Sequence, residues 1–130
     1  MDVLVPIDGS ESSLRALEFA IDFADRFDAS PHVVHVSDAE TDATDQILAT
    51  AREHLAEAGV DAPPELVLDE RVSVRTDARA GERIVELVEE RGYDHVVMGH
   101  HGSSDVKRAI LGSAAETVVR SESVPVTVVP

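Results

Sequence analysis

Short apolar runs that alternate with amphipathic segments constrain the fold of this chain more than any other feature. Residues 3–7, VLVPI, are continuously apolar, as expected of a strand that is buried on both faces of a sheet. The next segment repeats apolar residues at helical spacing from Leu14 to Ala24, and Ser10 stands where a helix N-cap is needed. The same alternation continues along the chain and predicts five strands separated by four helices.

The remaining elements are predicted by the same signals. Further strands are predicted over residues 32–36, 71–75, 95–98 and 124–129, and further helices over residues 42–58, over a segment that ends before Gly92 and from Gly112-Ser113 onward. Strands joined by helices form parallel sheets, and right-handed crossovers place helices on both faces. We therefore predict an α/β fold that is a single domain over residues 1–130, with a five-stranded parallel sheet in the order 3-2-1-4-5.

This strand order also predicts where a ligand would bind. Strands 1 and 4 are neighbours at the centre of the sheet, and the loops that follow them diverge to opposite faces. Ligands of open α/β sheets occupy the crevice that forms at such a point. The predicted crevice lies between residues 8–10, Asp-Gly-Ser, and the segment that begins at Gly99.

Residues 99–113, GHHGSSDVKRAILGS, are rich in groups that bind anions. They hold three of the seven glycines, Gly99, Gly102 and Gly112, and glycine lets backbone N–H groups approach a ligand closely. Gly112 and Ser113 also open a helix, where N–H groups without an intrahelical acceptor and the helix dipole favour negative charge. Together with the Ser113 hydroxyl, these groups predict a site for a polyphosphate.

The charge distribution supports an anionic ligand at this loop and argues against nucleic acid or an anionic membrane as a partner. The formal net charge is -15, from 26 acidic and 11 basic residues, so the surface repels polyanions. Within residues 99–113, Lys107 and Arg108 outweigh Asp105, and Lys107 is the single lysine of the chain. Many carboxylates with one lysine resemble the composition of proteins from halophilic organisms.

Cysteine usage and hydropathy bear on the compartment. The chain has no cysteine, which excludes disulfides and thiol chemistry and fits a reducing environment. No stretch is apolar for the length of a membrane span, and the first residues lack the basic start and long apolar run of a signal peptide. We therefore expect a cytoplasmic protein.

The glycine spacing Gly99-x2-Gly102-x9-Gly112-Ser113 resembles the signature of the ATP-binding branch of the universal stress protein family. Residues 5–10, VPIDGS, and residues 124–126, VPV, are similar to the first and last strands of that family, so the resemblance extends over nearly the whole chain. It implies a Rossmann-like fold of the adenine nucleotide alpha hydrolase type. It also implies ATP or AMP as the ligand, with Mg²⁺ or Mn²⁺ bound through the phosphates.

The resemblance further implies a stress-response role in which an unknown regulatory protein responds to the bound state, and a homodimer formed through the C-terminal strand. The sequence supports the dimer independently, because the apolar last strand lies at the predicted sheet edge and such an edge favours pairing with its own copy.

Individual site residues are implied by the same resemblance. Those that would surround the adenosine are Pro6, Asp8, Val36, Met98 and Gly99, with Asp8 on the ribose or near the phosphates. Those that would line the phosphate path are His101, Gly102, Gly112, Ser113 and Ala114. The chain departs from the family at residues 78–80, Ala-Arg-Ala, where the family has Gly-x-Pro before the third helix.

The histidines give a weaker indication of function. His35 lies on an apolar strand, so we expect a packed core residue rather than a ligand. His100 and His101 are adjacent, would point to opposite sides of an extended chain, and have no carboxylate at metal spacing. Contact of one of them with phosphate is therefore expected in preference to a zinc site.

Other functions remain open from the sequence. An ATPase or phosphotransferase could use His101 or Ser113 as a phosphate acceptor, but the pattern G-x4-G-K-[S/T] is absent, so any hydrolysis should be slow. A phosphoacceptor domain would need a lysine after the last strand beside acids such as Asp8 and Asp77, and residues 1–130 do not contain that lysine. A nucleotide-free dimeric scaffold would not require the glycine pattern.

Overall fold

Five parallel strands alternate with four helices in the computed structural model, which describes residues 1–101 and 111–130, the side chains of residues 73–78 excepted. The strands are β1 (Asp2–Pro6), β2 (Ser30–Ser37), β3 (Glu65–Leu68), β4 (His95–Gly99) and β5 (Val126–Val129). The helices are α1 (Glu11–Phe27), α2 (Asp42–Glu57), α3 (Val72–Arg91) and α4 (Ser113–Arg120). This alternation is the one that the sequence predicts.

β1 lies at the centre of the sheet, whose order β3-β2-β1-β4-β5 confirms the prediction. It pairs in parallel with β2, where Val5 lies opposite Val33, and with β4, where Leu4 lies opposite Val96. Val3, Leu4 and Val5 have no exposed surface. Because β1 is covered on both faces, its sequence is continuously apolar instead of alternating with polar residues.

Helices cover both faces of the sheet, and successive residues of β1 belong to different cores. Val3 and Val5 pack with α1 and α2, whose contributions include Leu17 and Leu55. Leu4 packs on the opposite face with residues of α3 and α4, namely Ile84, Leu87, Val88, Ala115 and Val118. Side chains alternate across a strand, so one central strand contributes to both hydrophobic layers.

The prediction of a strand over residues 71–75 is wrong. The third strand is Glu65–Leu68, which pairs with the end of β2, and residues 72–75 belong to α3. Asp69 ends the strand and starts the helix, because its carboxylate accepts a hydrogen bond from the Arg71 amide at 3.0 Å and its carbonyl accepts one from the Val72 amide at 3.1 Å. Five alternating residues are too few to distinguish a strand from the start of a helix, and contact with β2 decides.

The helix ends agree with the sequence signals. The Ser10 hydroxyl accepts a hydrogen bond from the Ser13 amide at 3.2 Å and so caps α1 as predicted. α3 stops at Gly92, whose φ of 70° lies in the left-handed region that favours glycine. The last strand is shorter than predicted, since β5 begins at Val126 rather than at Val124. Among the described residues, no helix has the length and apolar character needed to cross a membrane.

Candidate functional site

A cavity of about 200 Å³ opens at the carboxyl ends of β1 and β4, where the sequence predicts the crevice. Its walls come from six elements and the segments between them. β1 and the turn after it contribute Pro6, Ile7 and Asp8; β2 contributes His35 and Val36; α3 contributes Val72, Ala80 and Ile84; β4 and the segment after it contribute Met98, Gly99, His100 and His101; the start of α4 contributes Gly112, Ala114 and Ala115; and α1 contributes Ser13.

The structure brings most of the sequence-predicted site residues together around this cavity. Those that line it are Pro6, Asp8, Val36, Met98, Gly99, His101, Gly112 and Ala114. Ser113 is exposed and does not line the cavity. Gly102 lies outside the described residues, as do Lys107 and Arg108, whose charge supports an anion site in the sequence.

The turn between β1 and α1 places the Asp8 carboxylate at the cavity. One carboxylate oxygen of Asp8 accepts a hydrogen bond from the Ser10 amide at 2.9 Å, and the Asp8 amide donates to the Ser13 hydroxyl at 3.3 Å. Gly9 lies between Asp8 and Ser10 and has a φ of 84°, a backbone conformation that glycine adopts without strain. The side chain of Asp8 is therefore held in one orientation by the turn that it stabilises.

The base of the glycine-rich loop is closed by backbone hydrogen bonds. The His100 amide donates to the Val129 carbonyl at 2.8 Å, and the Gly112 amide donates to the His100 carbonyl at 2.5 Å. The Gly112 N–H therefore bonds within the protein, whereas the sequence pattern assigned it to a ligand. The first amides of α4, before that of Glu116, have no intrahelical acceptor, and Ala114 and Ala115 of this turn line the cavity.

The histidines of the cavity differ in environment. His35 is buried, and its Nδ1 donates to the Ile7 carbonyl at 2.7 Å, which agrees with a packed core residue. The rings of His100 and His101 lie edge to face with centroids 4.0 Å apart, so they do not point to opposite sides as an extended chain would require. The backbone bends after β4, which brings both rings to the cavity.

Comparison with known proteins agrees with this geometry. The family model described as the universal stress protein family matches residues 1–130. The chain belongs to the universal stress protein family. It is 28% identical over 136 aligned residues to the universal stress protein MJ0531 of Methanocaldococcus jannaschii, and the match covers 98% of this chain and 80% of that protein.

Solved structures of universal stress proteins have the same fold. One in complex with cAMP is 28% identical, with a TM-score of 0.76, and the match covers 99% of this chain and 95% of that chain. Another, from Archaeoglobus fulgidus in complex with dAMP, has a TM-score of 0.74 at 20% identity and covers 100% of this chain and 98% of that chain. The second likeness bears on the fold alone.

In this universal stress protein, α3 forms a wall that sequence analysis missed. Val72, Ala80 and Ile84 line the cavity, although the sequence predicts a strand at Val72 and, for the helix that ends before Gly92, indicates no contact with a ligand. Ser13 was also missed, because nothing in the sequence distinguishes it from any other serine in the first turn of a helix. The spacing of Val72, Ala80 and Ile84 is helical, so this signal was visible only once the start of α3 was known.

A buried ion-pair cluster lies where β3 joins α3. The guanidinium of Arg79 donates to Asp69 at 2.7 Å, to Glu86 at 3.0 and 3.1 Å and to Glu82 at 3.2 Å, and Asp69 and Arg79 are only 7% and 8% exposed. Hydrogen bonds from Arg71 and Arg79 hold the pKa of the Asp69 carboxyl well below its usual range despite burial. Hydrogen bonds to Glu86 and Asp69 raise the pKa of Arg79. This ion-pair cluster attaches the N-terminal half of α3 to the residue that follows β3.

Proposed function

We propose that the protein binds an adenine nucleotide, ATP above all, in the cavity at the carboxyl ends of β1 and β4, and acts as a nucleotide-dependent regulatory module. One observation carries the proposal: residues from both sides of the central strand pair, Asp8 on one side and Gly99, His101 and Gly112 on the other, line a single cavity. A universal stress protein at 28% identity was solved in complex with cAMP, which supports an adenine nucleotide in the equivalent cavity.

The residues that line the cavity offer two kinds of chemistry. Pro6, Val36 and Met98 present apolar surface that suits the adenine and ribose, and in this proposal Asp8 contacts the ribose or lies near the phosphates. The phosphates would extend along His101, Gly102, Gly112, Ser113 and Ala114 toward the N-terminus of α4, where the helix dipole favours negative charge. Binding, with slow hydrolysis at most, is the activity that we propose.

We further propose that Mg²⁺ or Mn²⁺ accompanies the nucleotide and is held mainly by its phosphates. In the described part of the chain, no group of three or more His, Cys, Asp or Glu side chains could hold a metal ion. Asp8 is the carboxylate among the described residues that line the cavity. This donor set fits a cation that takes its ligands from phosphate oxygens, water and at most one carboxylate.

We propose that a second copy of the chain binds to the sheet edge. We also propose that the protein is cytoplasmic and that an unidentified regulatory protein responds to the bound nucleotide. β5 ends the strand order, so one side of its backbone faces away from the sheet. All four residues of β5 keep partial exposure, which fits an edge that a second β5 can cover.

Titration calorimetry with ATP and Mg²⁺ tests nucleotide binding. Ala80→Leu adds three carbon atoms to a helical residue that lines the cavity, and leucine is as compatible with a helix as alanine. We expect the variant to keep its helical circular dichroism and to bind ATP between about five-fold and about 150-fold more weakly, because overpacking a filled site typically costs about 1–3 kcal/mol.

Ala56→Leu is the matched control, since it places the same side chain on the exposed surface of α2. It should bind ATP as the wild type does. Absence of binding heat for the wild-type protein, or equal affinity in wild type and Ala80→Leu, would contradict the proposed site.

A further inference from the structure

We propose that Ser12 is a positioning residue for the phosphates of the bound nucleotide, acting through the backbone of His101. The inference rests on the proposed function and extends it to a residue of α1 that does not line the cavity. Ser12 lies in the first turn of α1 and is 4% exposed. Its hydroxyl donates a hydrogen bond of 2.7 Å to the His101 carbonyl, across 89 residues of sequence.

Three elements hold the backbone at the start of the glycine-rich loop. The His100 amide is bonded to β5 through Val129, and the His100 carbonyl is bonded to the start of α4 through the Gly112 amide. The His101 carbonyl is bonded to α1 through the hydroxyls of Ser12, at 2.7 Å, and of Ser10, at 3.3 Å. The first two bonds join backbone groups, so the bonds to α1 are the ones that depend on side chains.

Gly99 explains why the hydroxyl of Ser12 can reach this carbonyl. A Cβ atom at position 99 would lie 2.6 Å from the Ser12 hydroxyl oxygen and 2.8 Å from the Ser13 amide nitrogen, which real Cβ atoms do not tolerate. The end of β4 therefore lies directly against the first turn of α1. The first glycine of the pattern permits contact between two elements of the protein, in addition to any contact with a ligand.

Ser10 cannot replace Ser12 fully. Its hydroxyl lies 3.3 Å from the His101 carbonyl, against 2.7 Å for that of Ser12, so the hydrogen bond that it donates is the weaker one. Loss of the Ser12 hydroxyl therefore leaves a part-buried carbonyl with one weak donor. The His101 backbone would then shift relative to Gly112 and Ala114, with which it lines the cavity, and the part of the cavity that we propose for the phosphates would widen.

The test compares ATP and adenosine binding by calorimetry in wild type, Ser12→Ala and Ser12→Cys. Adenosine lacks the phosphates, so a residue that positions the phosphate path changes ATP affinity alone. We expect Ser12→Ala to bind ATP about five-fold more weakly, the effect of one net hydrogen bond, with adenosine affinity changed less than about two-fold. Ser12→Cys is close to isosteric and keeps a weak donor, so its affinity for ATP should fall between those of the wild type and Ser12→Ala.

Ser121→Ala is the matched control. The Ser121 hydroxyl donates a hydrogen bond of 2.6 Å to the Val118 carbonyl, the same kind of bond at the far end of α4. This variant should bind both ligands as the wild type does.

Amide hydrogen exchange adds a readout that requires no ligand. Exchange at the His100 and Gly112 amides, whose hydrogen bonds hold the adjoining backbone, should accelerate in Ser12→Ala and stay unchanged in Ser121→Ala. Unchanged ATP affinity in both Ser12 variants, or equal losses for ATP and adenosine, would overturn the positioning role. Failure of the proposed function is distinguishable, because the wild-type protein itself would then give no binding heat.

Discussion

At the scale of single residues, Asp8 has two roles that a suitable substitution separates. Its carboxylate accepts a hydrogen bond from the Ser10 amide and so stabilises the turn, and the same side chain lines the cavity. Asparagine keeps a carbonyl oxygen for the Ser10 amide and removes the negative charge. Asp8→Asn therefore tests the ligand contact with the turn intact.

We expect Asp8→Asn to bind adenosine and ATP each about ten-fold more weakly, because a hydrogen bond from a ribose hydroxyl to a carboxylate is stronger than one to an amide. Calorimetry with both ligands measures this. A loss confined to ATP with Mg²⁺ would instead place the carboxylate near the phosphates and the cation. Asp25→Asn, at an exposed position of α1, controls for the change in net charge.

At the scale of elements, the connection between β3 and α3 depends on buried charge. Asp69 directly follows β3 and bonds to Arg71 and Arg79, and Arg79 also bonds to Glu86, which lies in α3 as Arg79 does. A buried ion pair adds little net stability, but loss of one partner leaves an uncompensated buried charge. Because Ala80 follows Arg79 directly and lines the cavity, this cluster also helps to place the wall formed by α3.

Asp69→Asn should lower the free energy of unfolding by about 3 kcal/mol at pH 7, at the low end for a broken buried pair because Arg79 keeps its bonds to Glu86 and Glu82. Urea unfolding measures this value. Glu116→Gln breaks the exposed pair with Arg120 and should change the free energy of unfolding by no more than about 0.5 kcal/mol. Equal effects of the two substitutions would contradict the importance of the buried cluster.

The same cluster predicts a dependence of stability on pH. Hydrogen bonds from Arg71 and Arg79 lower the pKa of Asp69 in the folded protein, and those from Arg79 lower that of Glu86. The unfolded state then binds more protons as the pH falls below the ordinary carboxyl pKa of about 4. The stabilisation is therefore complete above that pH and is lost progressively below it. Asp69→Asn should show a smaller loss of stability between pH 5 and pH 3 than the wild type, in the same urea experiment.

At the scale of the whole molecule, the net charge of -15 opposes association, whereas the open edge of β5 favours it. The salt concentration determines which effect is stronger, because salt screens the repulsion between the charges. The screening length falls from about 10 Å at 0.1 M to about 3 Å at 1 M. The proposed dimer should therefore be most stable in molar KCl, which also agrees with the composition resembling that of halophilic proteins.

Val128→Pro should convert the dimer into a monomer, as measured by light scattering at micromolar concentration in molar KCl. The Pro125 carbonyl is bonded to Val96 of β4 and the Val129 carbonyl to His100, directly after β4. Alternate residues of a strand present their backbone to opposite sides, so the Val128 N–H faces the open edge. Proline removes that donor without removing a bond to β4.

Leu68→Pro makes the matched change at the opposite edge of the sheet, where the Asp69 amide is bonded to the Ser37 carbonyl and the Leu68 N–H therefore faces outward. This variant should stay dimeric. A wild-type protein that is monomeric in molar KCl would exclude the dimer, and a monomer produced only by Leu68→Pro would assign the interface to β3.

The sequence by itself determined the α/β alternation, the strand order and the place of the site. Local periodicity reports which faces of each segment are buried, and the handedness of strand–helix–strand crossovers limits how the strands are arranged. For these reasons Asp8 and Gly99 could be assigned to one crevice although they are far apart in the chain, and both line the cavity.

Only the tertiary structure decided which of two segments became β3, what Gly99 and Gly112 contact, that α3 lines the cavity, and that the Ser12 hydroxyl bonds to the His101 carbonyl. Each of these depends on atoms from segments that are distant in sequence. β2 pairs with Glu65–Leu68, α1 packs against Gly99, and the His100 carbonyl accepts a hydrogen bond from the Gly112 amide. Periodicity carries no information about such distances, because it reports burial and not the identity of the neighbour. Packing between elements set these contacts, because the distance between two packed surfaces depends on the side chains of both.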